Sequence, residues 1–133
     1  TGETRFPLVT QNLHRYFWAL ALVQNVILTI DAVMAFRLPG DGGIGVSIGT
    51  LVLVVNAVLL WGYSASCHAC RHLCGGGVNR FSKHPVRHRL WELLTPLNAK
   101  HMQIAWLSLA WVAFADLYVR LVASGVISDP KIF

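Results

Sequence analysis

Three long apolar stretches limit what this chain can fold into more than any other feature of its sequence. They run over Tyr16–Phe36, Ile44–Ser64 and Met102–Val122, and each reaches the roughly 20 residues that a helix needs to cross a bilayer. The chain is 55% hydrophobic and 13% charged, whereas soluble proteins average about 45–50% and roughly 25%. The sequence therefore predicts an all-α, polytopic transmembrane bundle with three spanning helices, in one domain covering residues 1–133.

The basic residues predict how these helices are oriented. Most cations lie before the first apolar stretch and in the segment 65–101, which joins the second stretch to the third, whereas only Arg37 and Lys131 lie on the opposite side. Because short cytoplasmic loops are rich in Lys and Arg, we expect the N-terminus and the 65–101 loop to be cytoplasmic. The net charge of +5 is then explained by topology and by docking of partner proteins, and nucleic-acid binding is not expected.

A short segment after the second apolar stretch carries most of the metal-binding chemistry. It reads Cys67-His68-Ala69-Cys70-Arg71-His72, and the only other cysteine of the chain is Cys74. The Cys-x-x-Cys spacing lets Cys67 and Cys70 reach one metal ion. An all-cysteine iron–sulfur cluster needs four thiolates, so histidines must supply the remaining ligands of any metal bound here.

The predicted topology brings these histidines together. His14 lies near the start of the first helix and His101 at the start of the third, on the same membrane side as the Cys/His segment. Three kinds of metal site fit this donor set. They are a zinc ion in a Cys2His2 shell, a haem between His14 and His101, and a [2Fe–2S] cluster with two thiolates on one iron and two imidazoles on the other.

Five segments resemble the membrane-anchor subunit of actinobacterial-type succinate dehydrogenases (respiratory complex II). They begin at His14-Arg-Tyr-Phe, Ser66-Cys-His-Ala-Cys-Arg-His, Asn79-Arg-Phe-Ser-Lys-His-Pro-Val-Arg, Leu97-Asn-Ala-Lys-His-Met-Gln and Leu121-Val-Ala-Ser-Gly-Val-Ile-Ser-Asp. The resemblance implies an anchor of about five helices in the bacterial plasma membrane, of which this chain matches the carboxy-terminal three. An upstream part of the anchor is therefore expected, as the start at Thr1 also indicates.

The resemblance also implies a function. In that family the anchor docks a flavoprotein subunit and an iron–sulfur subunit, and it relays electrons to a quinone, menaquinone or ubiquinone. Succinate oxidation is expected on the partner subunits, and not on this chain. A Rieske-type [2Fe–2S] cluster is implied on the matching Cys67 and Cys70. His101 and His72 are the first choice for the second iron, with His14 and His68 in reserve.

A quinone headgroup beside this cluster needs hydrogen-bond donors and aromatic walls. Residues of these types at a suitable depth are Arg15, Tyr16, Trp18, Trp61 and Tyr63. Two alternatives remain open: a haem b anchor of the same enzyme class, and a non-redox docking scaffold with a structural zinc ion.

Polar residues inside the apolar stretches lead to two further expectations. Asn25 and Asn56 lie at similar depths, which predicts an amide pair between the first two helices. On the third helix Arg120 is expected to pair with an aspartate, because pairing lowers the cost of placing a charge within the membrane.

Overall fold

The computed structural model describes residues 5–37, 43–76, 78 and 80–132. These residues form helices α1 (Leu8–Met34), α2 (Ile48–Ser66), α3 (His68–Arg71), α4 (Pro85–Ala99) and α5 (His101–Ala123). A π-helical turn, His72–Gly76, follows α3, and a 3-10 turn, Phe81–Lys83, precedes α4. The described part contains no multi-residue strand, which confirms the predicted all-α class.

Helices α1, α2 and α5, of 27, 19 and 23 residues, are long and apolar enough to cross a membrane, as predicted. Their bounds differ from the apolar stretches by as much as two turns. Helix α1 begins at Leu8, and not at Tyr16, because the polar residues before Tyr16 continue the helix beyond its apolar part. The segment 65–101, expected to be a loop, is largely helical.

Helix α2 forms the centre of the bundle, since it packs against both α1 and α5. Its buried positions are mostly small or polar, including Ala57 and Ser64, and α5 contributes Ser108 and Ala115 to the same interface. Small residues let membrane helices approach closely, and polar ones hydrogen-bond between them. Large apolar side chains such as Phe17 remain exposed on the outer faces of the three helices.

The expected Asn25–Asn56 pair is not formed. Asn25 instead donates to the hydroxyl of Ser64, at 2.8 Å, and to the carbonyl of Leu60, at 3.3 Å. Asn25 therefore faces the last turns of α2, whereas Asn56 lies further from the helix end. The second expectation is confirmed, because the Arg120 guanidinium lies 2.8 Å from the Asp116 carboxylate one turn earlier on α5.

The segment after α5 closes the end of the bundle at which α2 begins. Ser47 caps α2 and accepts from the Thr50 backbone N–H. Asp129 accepts from the Gly49 N–H at 2.9 Å and from the Tyr118 hydroxyl at 2.7 Å. Burial tends to raise the pKa of Asp129, but the hydrogen bonds from Ser47, Tyr118 and Gly49 outweigh it and hold the pKa below its ordinary value.

Helix α4 covers the segment that carries the cysteines. It begins with Pro85, a favourable first residue because proline lacks the N–H that is left unpaired there. The Arg87 guanidinium donates to the carbonyls of Cys74 (2.8 Å) and Leu73 (3.0 Å). The guanidinium carbon of Arg71 lies over the Trp91 ring, 4.3 Å from the centre of that ring. Arg87, expected only as a topology and docking cation, therefore holds the cysteine segment against α4.

Candidate metal centre

The start of α1, the end of α2 and the start of α5 meet at one end of the bundle. There His14, Cys67 and His68 place their ligand atoms within 4.8 Å of one another. The His14 Nε2 atom lies 3.1 Å from the Cys67 sulfur, and the His68 Nδ1 atom lies 4.0 Å from it. The topology thus produces the convergence of thiol and imidazole groups that the sequence predicts.

At Cys67, the residue after the last turn of α2, the backbone leaves the helical conformation. Its ψ of 141° separates α2 from α3, and its side chain caps α3 by accepting from the Ala69 N–H at 3.4 Å. The residue is only 2% exposed. The break turns the chain so that His68, the next residue, also reaches His14.

The imidazoles of His14 and His68 stack with their ring centres 5.2 Å apart and their planes at 19°. Partial removal of water from His68, together with the nearby His14 and Arg15, lowers the pKa of His68. The neutral imidazole that this favours is the form that binds metal ions.

His101 lies at the edge of this group and has partners of its own. Its Nδ1 atom is 2.8 Å from the Ser66 hydroxyl. Its ring stacks on Tyr63, with ring centres 5.1 Å apart and planes at 9°. His72, the other first choice from the sequence, is exposed, and its ring lies beside Gly76. The donors gathered around Cys67 are therefore the two reserve histidines, with His101 next to them.

Cys70 is half-buried one turn beyond Cys67 and is not a member of the three-residue group. Burial raises its pKa to about 11, and a hydrogen bond with Cys74 acts in the same direction. Without a metal ion Cys70 is therefore a neutral thiol at physiological pH. The sequence missed this pairing, although Cys70 and Cys74 are four residues apart, the spacing of neighbours on a helix.

An apolar cavity of about 290 Å³ adjoins the metal-binding group. Of the five residues predicted to bind a quinone, Trp18 and Tyr63 line it. The other lining residues, on α1 or near the end of α2, are His14, Phe17, Ala21, Ser64 and Cys67.

The remaining quinone candidates lie elsewhere. Trp61 donates to the Thr29 hydroxyl and lines a separate groove, and Tyr16 is 72% exposed. Arg15 lies close enough to His68 to affect its pKa, and its buried Nε atom has no hydrogen-bond partner within the described residues.

A larger cavity, of about 500 Å³, lies at the opposite end of the bundle, beside Arg37, Tyr118, Asp129 and Lys131. It contains no cysteine or histidine. The metal-binding chemistry of the described residues is therefore confined to the end where α2 finishes.

Comparison with known proteins relates this arrangement to one family. A family model described as the actinobacterial succinate dehydrogenase subunit SdhC matches residues 1–125. A chain of the Mycobacterium smegmatis Sdh1 complex in the apo form is 48% identical, with a TM-score of 0.87. That match covers 100% of this chain and 49% of the other, so this chain spans about half the length of its structural neighbour. No curated protein matches the chain.

Proposed function

The chain belongs to the actinobacterial succinate dehydrogenase subunit SdhC family, and from that membership we propose that it is part of the membrane anchor of a succinate:quinone oxidoreductase. Succinate is oxidised on a flavoprotein subunit, and electrons pass through an iron–sulfur subunit to this chain and then to a quinone. The observation that carries the proposal is the group of His14, Cys67 and His68 at the end of three apolar helices, next to an aromatic-lined cavity.

The proposed cofactor is a Rieske-type [2Fe–2S] cluster, and the donor set of this end of the bundle fits it. Cys67 and Cys70 provide two thiols on adjacent turns, and three imidazoles are available: His14 and His68 beside the Cys67 sulfur, and His101 near His68. Two of the three complete the ligand set, and exposed His72 is the weakest candidate. When bound, such a cluster supplies one-electron transfer at a higher potential than an all-thiolate cluster, which suits reduction of a quinone.

The cavity of about 290 Å³ supports a quinone headgroup site beside that cluster. Trp18 and Tyr63 supply aromatic walls, and His14 supplies a hydrogen-bonding group between cavity and metal ligands. The Trp18 indole is held in place, because its N–H donates to the Ser64 carbonyl at 2.9 Å. A pocket with apolar walls and few polar groups is typical of sites that bind such ligands.

Exposed cations at the end of the bundle that carries the cysteines support a cytoplasmic docking surface for the iron–sulfur subunit. Lys83 and Arg89 are exposed and make no ion pair with a described residue, so they are free to meet an acidic partner. Complementary charge of this kind mainly determines the rate and register of association. Arg87 is excluded from this surface because it is bound to the carbonyls of Leu73 and Cys74.

Electron paramagnetic resonance of the dithionite-reduced complex tests the cluster. We expect Cys67→Ala to remove the signal that belongs to the anchor, and Cys74→Ala, the matched control, to retain it. The double variant His14→Ala, His68→Ala should also remove the signal, because it leaves only one of the three imidazoles, whereas His84→Ala, at an exposed position outside the group, should not. A full anchor signal in Cys67→Ala would refute the assignment.

A structural zinc ion is the competing proposal, and the compactness of the His14–Cys67–His68 group favours it. Ligands of one zinc ion lie about 2.0–2.3 Å from it, so three donors this close need little movement. Metal analysis of the purified complex separates the two proposals. Zinc in equal amount to the chain, with no iron beyond that of the partner subunits, would establish the zinc scaffold, whereas extra iron supports the cluster. A sharp Soret band would instead identify a haem b anchor.

A further inference from the structure

The hydroxyl of Ser66 lies 2.8 Å from the Tyr63 carbonyl and 2.8 Å from the His101 Nδ1 atom. A serine hydroxyl has one hydrogen to donate, and a carbonyl oxygen can only accept, so the contact with Tyr63 favours donation to that carbonyl. With the hydrogen on that side, the Ser66 oxygen accepts from a protonated Nδ1 of His101, and in the neutral imidazole this leaves the lone pair on Nε2.

Ser66 is held firmly enough to impose this state. Its side chain is fully enclosed, at 0% exposure, so water does not compete for its hydroxyl. Its own carbonyl accepts from the Asn98 amide at 2.9 Å, which ties the end of α2 to α4. The ring of His101 is also fixed by stacking on Tyr63. Both partners of the 2.8 Å contact therefore have little freedom to rearrange.

The two imidazoles beside Cys67, those of His14 and His68, have no such partner among the described residues. Among the described residues, the hydrogen-bonding contact of the His14 Nε2 is with the Cys67 sulfur itself, at 3.1 Å, and the His68 Nδ1 lies 4.0 Å from the same sulfur. Histidines that bind metal ions almost always donate their other ring N–H to an oxygen of the protein, which fixes the tautomer and orients the ring. Of the three, His101 alone shows that arrangement among the described residues.

We propose that Ser66 is a positioning residue that holds His101 as the Nδ1–H tautomer, so that its Nε2 lone pair is available as a metal ligand. The role of Nε2 as a ligand rests on the function proposed above, whereas the tautomer does not. Neither Ser66 nor its hydroxyl touches the metal in this proposal. It acts through His101, and a single buried hydroxyl thus selects which imidazole is ready to bind.

Solid-state NMR tests the tautomer in membranes that contain the whole oxidised complex, with ¹⁵N in the histidine rings. His101→Gln identifies the His101 signals. We expect a protonated Nδ1 and an unprotonated Nε2 in the natural protein, and this pattern should be lost in Ser66→Ala. Ser108→Ala is the matched control, because Ser108 is a buried serine of α5 whose hydroxyl donates to the Ala105 carbonyl and does not line the proposed quinone cavity. Ser66→Thr keeps the hydroxyl and should restore the pattern.

A proton on Nε2 of His101 in the natural protein would by itself overturn the proposal. The test therefore does not depend on whether the Ser66→Ala complex assembles. An unchanged pattern in Ser66→Ala would overturn it as well. The second readout is the reduction potential of the anchor's paramagnetic centre, which we expect to shift in Ser66→Ala and to stay unchanged in Ser108→Ala. If the tautomer follows Ser66 but the natural complex has no such centre, the function proposed above fails and the positioning role stands.

Discussion

Replacing Arg87 by glutamine should loosen the cysteine segment without altering any proposed ligand. Arg87 donates to the carbonyls of Leu73 and Cys74, which lie in the π-helical turn and cannot all be paired within it. A hydrogen bond of this kind contributes about 0.5–1.5 kcal/mol net. Because the Arg87 side chain is exposed, we take the lower part of that range for each bond, which gives about 1–2 kcal/mol for the pair.

Hydrogen exchange of the assembled complex measures this change. A loss of about 1–2 kcal/mol corresponds to a roughly 5–30-fold larger population of the opened segment, so the amides of residues 68–76 should exchange faster by that factor in Arg87→Gln. Lys83→Gln is the matched control, because it removes one positive charge from the same connection. Since Lys83 makes no side-chain hydrogen bond or ion pair with a described residue, we expect a change within about twofold, as for ordinary surface substitutions.

Arg87→Lys separates charge from geometry. It keeps the positive charge but loses the planar fork that reaches two carbonyls at once, so its exchange should fall between those of Arg87→Gln and the natural protein. Equal exchange rates in Arg87→Gln and Lys83→Gln would mean that the contacts to Leu73 and Cys74 do not hold the segment. The reasoning from Arg87 would then be wrong.

Two further predictions concern the packing of the cysteine segment and the far end of the bundle. A Cβ on Gly75 would meet the Trp91 ring at 2.6 Å, so Gly75→Ala should destabilise the segment by roughly 1–3 kcal/mol in thermal denaturation. The atoms nearest to a Cβ on Gly76 belong to the ring of His72, which is exposed and can move. Gly76→Ala should therefore cost less, and an equal cost would contradict this reading. The pKa of Asp129 is lowered in the folded protein. The ionised carboxylate therefore contributes to folding stability above about pH 4, and this contribution is lost as the pH falls through the lowered pKa. Asp129→Asn should therefore lower the melting temperature at pH 7. The difference in melting temperature from the natural protein should shrink below pH 4. A difference that does not depend on pH would refute the ionic role.

The sequence was sufficient to predict the three membrane helices, because the apolar pattern that indicates each of them is local. A run of about 20 apolar residues has few alternatives in a bilayer, and the structure has a helix over each run. Helix α4 gave no such signal. It contains Pro96 and is polar over much of its length, and its place depends on distant contacts such as Arg71 with Trp91. Contacts of that kind are set by tertiary packing, and residue order alone does not reveal them.

The ligand group was predicted in outline but not in detail. Topology alone brings His14, the cysteines and His101 to one end of the bundle. Which of them touch depends on the direction in which each helix turns its side chains, and on the backbone break at Cys67. The depth argument used for Asn25 and Asn56 ignored that direction, and for this reason it chose the wrong partner for Asn25.

Helical geometry explains why the last residues of α2 serve both neighbouring helices. Successive residues are rotated by about 100°, so Ser64 and Ser66 point to roughly opposite sides. Ser64 bonds to Asn25 of α1, and Ser66 bonds to His101 of α5. Cys67 is rotated about 300° from Ser64, and so it lies within about 60° of the same side. It should therefore meet α1 before α5, and its nearest imidazole is indeed His14. The spacing of these three residues thus decides which histidine touches the thiol and which one the buried hydroxyl holds.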